Sequence, residues 1–304
     1  MAIPYFELPV YQLALPGLGN LPLDPWATLV CIGFVLGLEL ARARAIKLGL
    51  DVRDIVDGAV FTVGMGFLFG HIVTVVGYYP ERLTEEGIWA ILKVWEGFSS
   101  IGGFLGAVIG STLFYGYIRP RDYWRHADVI TFGFPFGWFF GRLGCGTVHD
   151  HVGKVTTFPL AMDFDHGYGP NNDFGGLFPS VPPLDALGDP VKWANGVRFE
   201  LGLSEAALLI PLCIAFIMLG RKDRPPGFFL GLFAVCYAPV RFGLDFLRNT
   251  DLQHQDARWL GLTPAQYGMI LMLLGGFAIL YTRDWKGFAP HPMDGSAPGS
   301  TKPA

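Results

Sequence analysis

Apolar segments of membrane length recur along the whole chain, and they restrict its fold more than any other feature. A helix that crosses a bilayer needs about 20 mostly apolar residues, because it must satisfy its own backbone hydrogen bonds there. Only 16% of the 304 residues are charged, against about 25% in a typical soluble domain. The sequence therefore predicts an all-α polytopic membrane protein with about seven transmembrane helices. They cover residues 26–41, 55–78, 87–117, 127–144, 205–220, 227–247 and 264–281.

The basic residues between these segments predict the orientation of the chain. Lys and Arg are concentrated in the loops after segments one, three and five and after segment seven. Loops of this kind lie in the cytoplasm, so we expect the N-terminus outside and the C-terminus in the cytoplasm. No basic tract predicts binding to nucleic acid. The residues concerned are Arg42, Arg44, Lys47, Arg53, Arg119, Arg121, Arg125, Arg221, Lys222, Arg224, Arg283 and Lys286.

The loops and the C-terminus predict the domain organisation. We expect one transmembrane catalytic domain over residues 1–288, with its longest loop, 145–204, forming a small extracytoplasmic head. Residues 289–304 are rich in Pro, Gly and Ser and predict a disordered tail. The third segment is unusually long and contains a glycine-rich cluster at 97–103. This predicts a broken or re-entrant stretch before a full helix.

Arg142 is the most informative charge in the sequence. It ends an apolar, aromatic segment, lies between Gly141 and Gly144, and precedes His149, Asp150 and His151. A charge within a membrane-length segment is a functional-site hypothesis, and the glycines let backbone approach a ligand closely. The alternatives are an arginine that snorkels to the interface and an ordinary polar loop. We favour a site for an anionic head group.

A second charged cluster ends the sixth segment. Arg241, Asp245 and Arg248 are spaced i, i+4, i+7 and would share one face of a continuous helix. Arg241 and Asp245 could form a simple helical ion pair. Arg248 and Arg142 then need partners from elsewhere in the chain.

Glu205 and Asp150 are the candidate partners of these arginines. Converging arginines match the oxygens of a phosphate and predict recognition of an anionic phospholipid. Carboxylates at membrane depth keep open an alternative function, a transporter of a lipid or small anion.

Other polar residues predict structural roles. His71 is interpreted as a hydrogen-bonded core residue, and Asp128 as an N-cap or first-turn acid of the fourth helix. The four cysteines form no CxxC pair, and they predict neither a disulfide framework nor a metal site.

Several stretches together resemble one family. Residues 140–145 with Asp150 and Gly153 resemble Gly-Arg-hydrophobic-Gly-Asn, then Asn-Gly-Glu and a glycine; residues 237–248 resemble Tyr…Arg-Phe…Glu-Phe…Arg. Residues 198–205 are similar to Arg-His-Pro-Ser-Gln-Leu-Tyr-Glu. Residues 262–266 match Leu-Thr-X-X-Gln, and 95–106 resemble Gly-X-Ser-Phe-His-Gly-Gly-Leu. The family is that of the prolipoprotein diacylglyceryl transferases.

The resemblance implies an enzyme of the bacterial cytoplasmic (inner) membrane that needs no cofactor. Such an enzyme transfers the diacylglyceryl group of phosphatidylglycerol to the lipobox cysteine thiol of a prolipoprotein signal peptide, and glycerol-1-phosphate leaves. Arg142 and Arg241 would hold the phosphate of the lipid. The other residues implied in catalysis or substrate binding are Tyr237, Asp150, Asp245, Glu205, Arg248, Gly141, Gly144, Gly102 and Gly103.

The sequence departs from the family pattern where a base would be expected. Ile101 replaces the histidine before Gly-Gly, and Cys145 replaces the asparagine after Gly-Arg-X-Gly. Three accounts are open. The base has moved to the stretch of His149, Asp150 and His151, with the two histidines as the nearest candidates; the histidine is dispensable because arginines stabilise the leaving group; or the acceptor differs. We favour the first. A lipid-binding scaffold without activity is a further alternative.

Overall fold

The protein is mostly helical. The computed structural model describes residues 2–6, 8–16, 19–94, 97–164, 196–252, 258–282, 285, 288–293 and 295. Its helices are α1 (Pro25–Lys47), α2 (Val52–Val73), α3 (Glu81–Glu85), α4 (Trp89–Leu92), α5 (Ser100–Leu113), α6 (Tyr123–Val148), α7 (Leu201–Leu219), α8 (Phe228–Leu244) and α9 (Pro264–Thr282). Its strands are β1 (Ile3–Pro4), β2 (Tyr11–Leu15), β3 (Gly19–Leu23), β4 (Val152–Val155), β5 (Met162–Asp163) and β6 (Val197–Glu200).

Five helical segments of the described chain are long and apolar enough to cross a membrane. Helices α1 and α6, with 23 and 26 residues, are the counterparts of the first and fourth predicted segments. The polytopic membrane class is therefore supported, and the count of seven and the orientation stay predictions. The five segments are Val52–Tyr78, Ser100–Ile118, Leu201–Leu219, Phe228–Leu247 and Pro264–Thr282.

The predicted break in the third segment is confirmed. Two short helices, α3 and α4, precede an irregular stretch, and α5 begins only at Ser100. The Ser99 side chain caps α5 by accepting a hydrogen bond from Gly102 N at 3.4 Å. His71 is fully buried beside this break, and its Nε2 donates to Ala90 O at 2.9 Å. The interpretation of His71 as a hydrogen-bonded core residue is confirmed.

The chain divides into two compact units. The first comprises Met1–Gly33, Gly137–Leu209 and Gly243–Ala257. Its described part contains a four-stranded sheet in the order β1-β5-β6-β4, in which β1 is parallel to β5 and the other pairs are antiparallel. Strands β2 and β3 form a separate hairpin.

The core of the sheet is made of Val152, Met162 and Phe164, with Tyr5 and Phe6 packed against it. Helix α6 continues to Val148, so its predicted end at 144 is wrong, and the sheet-containing head begins later than expected. Strand β1 joins this head from the N-terminus. Residues 165–195 of the predicted head lie outside the described residues.

The second unit comprises Phe34–Phe136, Ile210–Phe242 and Arg258–Ala304. Glycines at every fourth position of α5 let it approach α2 closely, as small residues do in membrane helix pairs. A Cβ on Gly102 would collide with Phe69 O, and one on Gly106 would collide with Met65 O. Packing between α2 and α5 therefore requires a glycine at position 102.

Asp128 lies inside α6 and not in its first turn, so its expected role is wrong. Its Oδ1 accepts a hydrogen bond from Leu230 N at 2.9 Å, and it thereby caps the start of α8. The Asp128 side chain therefore stabilises the start of α8 and not the start of its own helix.

The described part of the predicted tail makes contacts. His291 N donates to Asp223 Oδ2 at 2.9 Å, and Gly295 N donates to Lys47 O at 3.1 Å. Met293 packs against the cluster that contains Ala41 and Ile55. Residues 294 and 296–304 lie outside the described residues.

Candidate functional site

Arg142 lies on the last turns of α6 and is paired with Glu205 from the first turns of α7. The distance between Arg142 Nε and Glu205 Oε1 is 2.9 Å, and the residues are 4% and 2% exposed. Trp138, one turn earlier on α6, donates from Nε1 to the same carboxylate oxygen at 3.1 Å. Its ring lies 4.6 Å from the Arg142 guanidinium. Snorkelling is therefore wrong for Arg142, and Glu205 is confirmed as a partner.

The end of α6 determines where the following polar residues point. His149 has a φ of 51°, the left-handed conformation that is common just after a helix end and that histidine adopts more often than most residues other than glycine. Its Nε2 donates to Phe6 O at 2.8 Å, and its ring contacts Tyr5 and Phe164. His149 thus lies in an aromatic pocket of the head and is 4% exposed.

His151 turns back toward Arg142. The distance between Arg142 Nη1 and His151 Nε2 is 3.1 Å. Because a guanidinium can only donate, Nε2 must accept this hydrogen bond, and the proton of the neutral ring lies on Nδ1. Nδ1 then donates to Asp150 Oδ1. The geometry fixes one tautomer: a neutral imidazole between a carboxylate and a guanidinium.

The pKa shifts agree with this assignment. Burial lowers the pKa of His151 below its ordinary value of 6.5; Asp150 opposes this effect, and Arg142 and Arg248 add to it. Burial raises the pKa of Asp150, but His151 and Arg142 outweigh it and hold that pKa below its ordinary value of 3.8. At neutral pH, Asp150 is ionised and His151 is neutral, so His151 can accept a proton.

Strand pairing holds the His151 backbone in place. Leu201 N donates to His151 O at 3.0 Å, and the next residue, Val152, pairs with Glu200 of β6. Gly153 follows, and a Cβ there would lie 2.7 Å from Leu247 O. The sheet and the start of α7 therefore position the loop that carries Asp150 and His151.

Arg248 is joined to this region through its backbone. It forms a β-bridge with Gly153, because α8 gives way to a single 3-10 turn, Asp245–Leu247, and Arg248 itself is extended. The expected helical face shared with Arg241 is therefore wrong for Arg248. Asn249 Nδ2 also donates to Val152 O at 3.0 Å.

Cys145 completes the cluster around Arg142. Its Sγ lies 3.8 Å from Arg142 Nη1. The potential ligand atoms of Cys145, Asp150 and His151 all lie within 4.8 Å of one another. A metal ion there would lie beside the guanidinium, and the repulsion between two cations opposes this. We therefore assign these residues no metal.

Tyr237 and Arg241 belong to the second unit. Tyr237 stacks on Phe233 with ring centroids 5.0 Å apart, and Arg241 is 5% exposed. Ile101, which stands where the resemblance expects histidine, directs its Cδ1 against Gly268. The Ile101 side chain therefore packs against α9 at the position where the resemblance expects histidine.

The other predicted site residues have varied surroundings. A Cβ on Gly103 would meet only Gly66 O, at 3.9 Å, and one on Gly141 would meet nothing within 4 Å. A Cβ on Gly144 would lie 3.2 Å from Trp26 Cδ1, so this glycine accommodates packing. Asp245 is 1% exposed in the 3-10 turn.

Three contributors to the site were missed by sequence reasoning. Trp138 could have been found, because a residue four positions before Arg142 shares its helix face. Arg198 and Glu200 lie in the stretch 198–205 that resembles a family motif, but only strand pairing shows that they lie beside Gly153 and Val152. Arg198 is 1% exposed, donates to Gly153 O at 3.3 Å, and pairs with Asp251 at 2.6 Å.

Comparison with known proteins identifies the family of the chain. A family model described as prolipoprotein diacylglyceryl transferase matches residues 14–282. The phosphatidylglycerol–prolipoprotein diacylglyceryl transferase of Photobacterium profundum is 30% identical over 250 residues, which are 82% of this chain and 85% of the relative. That of Aliivibrio fischeri is 30% identical over 280 residues, 90% and 92% of the two chains. The chain therefore belongs to the prolipoprotein diacylglyceryl transferase family.

Proposed function

We propose that the cluster around Arg142 is where this chain performs the reaction of its family. The chain is a transferase that moves the diacylglyceryl group of phosphatidylglycerol to prolipoprotein. The acceptor atom is proposed to be the lipobox cysteine thiol of the signal peptide. This family membership favours the enzyme over the transporter alternative.

The phosphate of phosphatidylglycerol binds Arg142 in this proposal. Nη1 now donates to a neutral acceptor, His151 Nε2, and an anionic phosphate oxygen is a stronger acceptor. When the phosphate takes this hydrogen bond, the lone pair of His151 Nε2 is released. Binding of the lipid thus prepares the base.

His151 then removes the proton from the incoming thiol. The thiolate attacks the glyceryl carbon, the S–C bond forms, and the C–O bond to phosphate breaks. The proton is on His151 Nε2, and the electron pair leaves with glycerol-1-phosphate. Arg142 stabilises the charge that develops on the phosphate, while Asp150 stabilises the imidazolium. His149, held in its aromatic pocket, takes no part.

The remaining predicted residues keep their proposed roles. Arg241 is assigned to phosphate binding and Tyr237 to catalysis, on the resemblance of 237–248 to the family motif. Glu205 orients Arg142, and Asp245, Arg248, Gly141, Gly144, Gly102 and Gly103 stay assigned to substrate binding. We also propose seven membrane helices in the bacterial inner membrane, with the head outside and the C-terminus in the cytoplasm.

One observation carries the assignment of the base: a neutral His151 held between Arg142 and Asp150. Complementation of cells depleted of their own transferase tests the function. The unmutated chain should restore growth, and Arg142→Ala should not, at equal membrane expression. Failure of the unmutated chain would refute the transferase and favour a scaffold.

A matched pair of histidine variants tests the base. With purified enzyme, phosphatidylglycerol and a lipobox peptide, His151→Gln should lower kcat by about 100-fold or more, a typical loss for a general base. His149→Gln should mainly lower Tm. If both variants keep full activity, the relocated base is wrong and arginine stabilisation of the leaving group is the better account.

A further inference from the structure

Glu200 is a buried carboxyl group beside the proposed base. It ends β6, pairs with Val152, and precedes Leu201, whose N–H donates to His151 O. The residue is only 3% exposed. The family motif that residues 198–205 resemble has proline at its third position, where this chain has Glu200.

The two oxygens of Glu200 have different surroundings. Oε2 accepts a hydrogen bond from Leu203 N at 2.5 Å and caps the start of α7. Oε1 is buried and has no hydrogen-bond partner among the described residues. An ionised oxygen without a donor is costly to bury. The neutral acid fits better, with Oε2 as its carbonyl oxygen and Oε1 as a hydroxyl that can donate.

Burial of Glu200 favours the same neutral form. Burial raises its pKa to about 8, and Asp150 adds to this effect. The N–H groups of Leu203 and Gly202 and the charge of Arg142 oppose it. Glu205 on α7 and the neutral His151 complete the cluster around Arg142. An anion that binds there is repelled less when Glu200 carries its proton.

We propose that Glu200 is a further catalytic residue, whose Oε1 hydroxyl donates a hydrogen bond to the phosphate of phosphatidylglycerol beside Arg142. This rests on the proposed function. No bond of Glu200 breaks: the proton stays on Oε1, and its hydrogen bond strengthens as the leaving phosphate gains negative charge. The phosphate would thus provide the acceptor that Oε1 lacks among the described residues.

Helix capping alone would also account for Oε2, and two variants separate the roles. Gln at this position keeps both an acceptor for Leu203 N and a donor for phosphate, and it does not ionise near neutrality. Ser is a good N-cap but is too short to replace the donor. Both variants are expected to keep Tm close to that of the unmutated chain.

The test is kcat/KM for phosphatidylglycerol in detergent micelles, with a lipobox peptide, from about pH 6 to about pH 9.5. Glu200→Ser should lose about tenfold or more near pH 7, the size expected for a hydrogen bond to a charged group. Glu200→Gln should stay within about threefold of the unmutated chain at that pH. The unmutated chain should show an alkaline decline near pH 8 that Glu200→Gln lacks, while ionisation of the substrate thiol affects both enzymes equally.

The proposal is overturned if Glu200→Ser keeps its full kcat/KM, or if the pH profiles of the unmutated chain and Glu200→Gln coincide. Glu200 would then be only a helix cap. Failure of the proposed function gives a different result, since the unmutated chain would not transfer the diacylglyceryl group. An active His151→Gln variant would refute the base without bearing on Glu200.

Discussion

Arg142 and Arg125 both pair with buried carboxylates, yet their contacts differ in kind. Arg125 donates from Nη1 and Nη2 to the two oxygens of Asp223, at 2.7 and 2.9 Å. Asp223 also accepts from His291 N. Arg142 instead reaches Glu205 through Nε and offers Nη1 to the neutral His151 Nε2.

The difference separates a structural ion pair from a binding site. In a bidentate ion pair, two nitrogens of the arginine donate to both oxygens of the carboxylate. A phosphate would therefore gain little free energy by displacing Asp223 from Arg125. At Arg142, an anion can replace a neutral acceptor and gain a charge-assisted hydrogen bond. The kind of acceptor at each guanidinium, and not burial alone, therefore predicts where the lipid binds.

Replacing Arg142 and Arg125 by lysine, one at a time, should give the largest difference in activity between the two regions. Arg142→Lys should lower kcat/KM by about 100-fold or more, because lysine lacks the planar fork of donors. Arg125→Lys should lower Tm while activity per folded enzyme stays within about threefold. Steady-state assays and thermal unfolding in the same detergent measure both. Equal losses of activity would contradict the division of roles.

Neutralising the partner carboxylates, Glu205 and Asp223, should give a smaller difference in activity between the two regions. Glu205→Gln removes the charge that orients Arg142, so we expect roughly a tenfold loss of kcat/KM together with a lower Tm. Asp223→Asn should lower Tm alone, since removing one partner of a buried pair can cost about 3–5 kcal/mol. A Glu205→Gln enzyme with normal kinetics would show that Arg142 needs no carboxylate.

As pH falls, activity at the Arg142 site should be lost first, and the stability due to the Arg125–Asp223 pair should be lost only at lower pH. Burial lowers the pKa of His151 below 6.5, so the neutral base is present above that folded pKa and is lost as pH falls through it. Burial raises the pKa of Asp223, but Arg125 and the His291 N–H outweigh it and leave that pKa below 3.8. The stability that this pair contributes is present above about pH 4 and is lost below it.

Activity should therefore decline at a higher pH than the stability due to the Arg125–Asp223 pair. The measurement is kcat and Tm of the unmutated chain and of Asp223→Asn from about pH 8 to about pH 3. The difference in Tm between the two proteins should shrink only at the acid end. A parallel loss of activity and Tm would mean that unfolding, and not His151, causes the decline.

Substitutions of Trp138 should have the smallest effect on kcat/KM. Trp138→Phe keeps a ring under the Arg142 guanidinium but removes the Nε1–H bond to Glu205, and a loss of about threefold in kcat/KM is expected from a typical hydrogen bond. Trp138→Leu also removes the cation–π contact and should lose about threefold more. Identical kinetics of the two variants would assign no role to the ring.

The sequence predicted the helices better than their ends. The glycine-rich cluster at 97–103 predicted a break near the start of α5, since glycine is costly inside a helix, although Gly102 and Gly103 lie within α5 itself. The end of α6 was placed too early, at 144 instead of Val148. There, Gly144 meets Trp26 and Gly146 meets Leu203, so packing against these side chains accounts for both glycines inside the helix.

Side-chain partners distant in sequence were the weakest predictions. Asp128 had the features of a first-turn acid but caps α8, more than 100 residues later. The i+7 spacing of Arg248 from Arg241 suggested a common face, but the bridge to Gly153 follows a helix that has already ended. Local spacing cannot show where a helix stops when distant strands compete for its backbone.

The sequence by itself determined that this chain is a helical membrane protein and that Arg142 matters. Both follow from the high cost of placing polar groups where there is no water, which is a property of each segment alone. Only the tertiary structure decided that His151 contacts Arg142, that His149 packs against Tyr5 and Phe164, and that Glu200 lies beside His151. The left-handed turn at His149 and the pairing of Val152 with a strand almost 50 residues later set those directions.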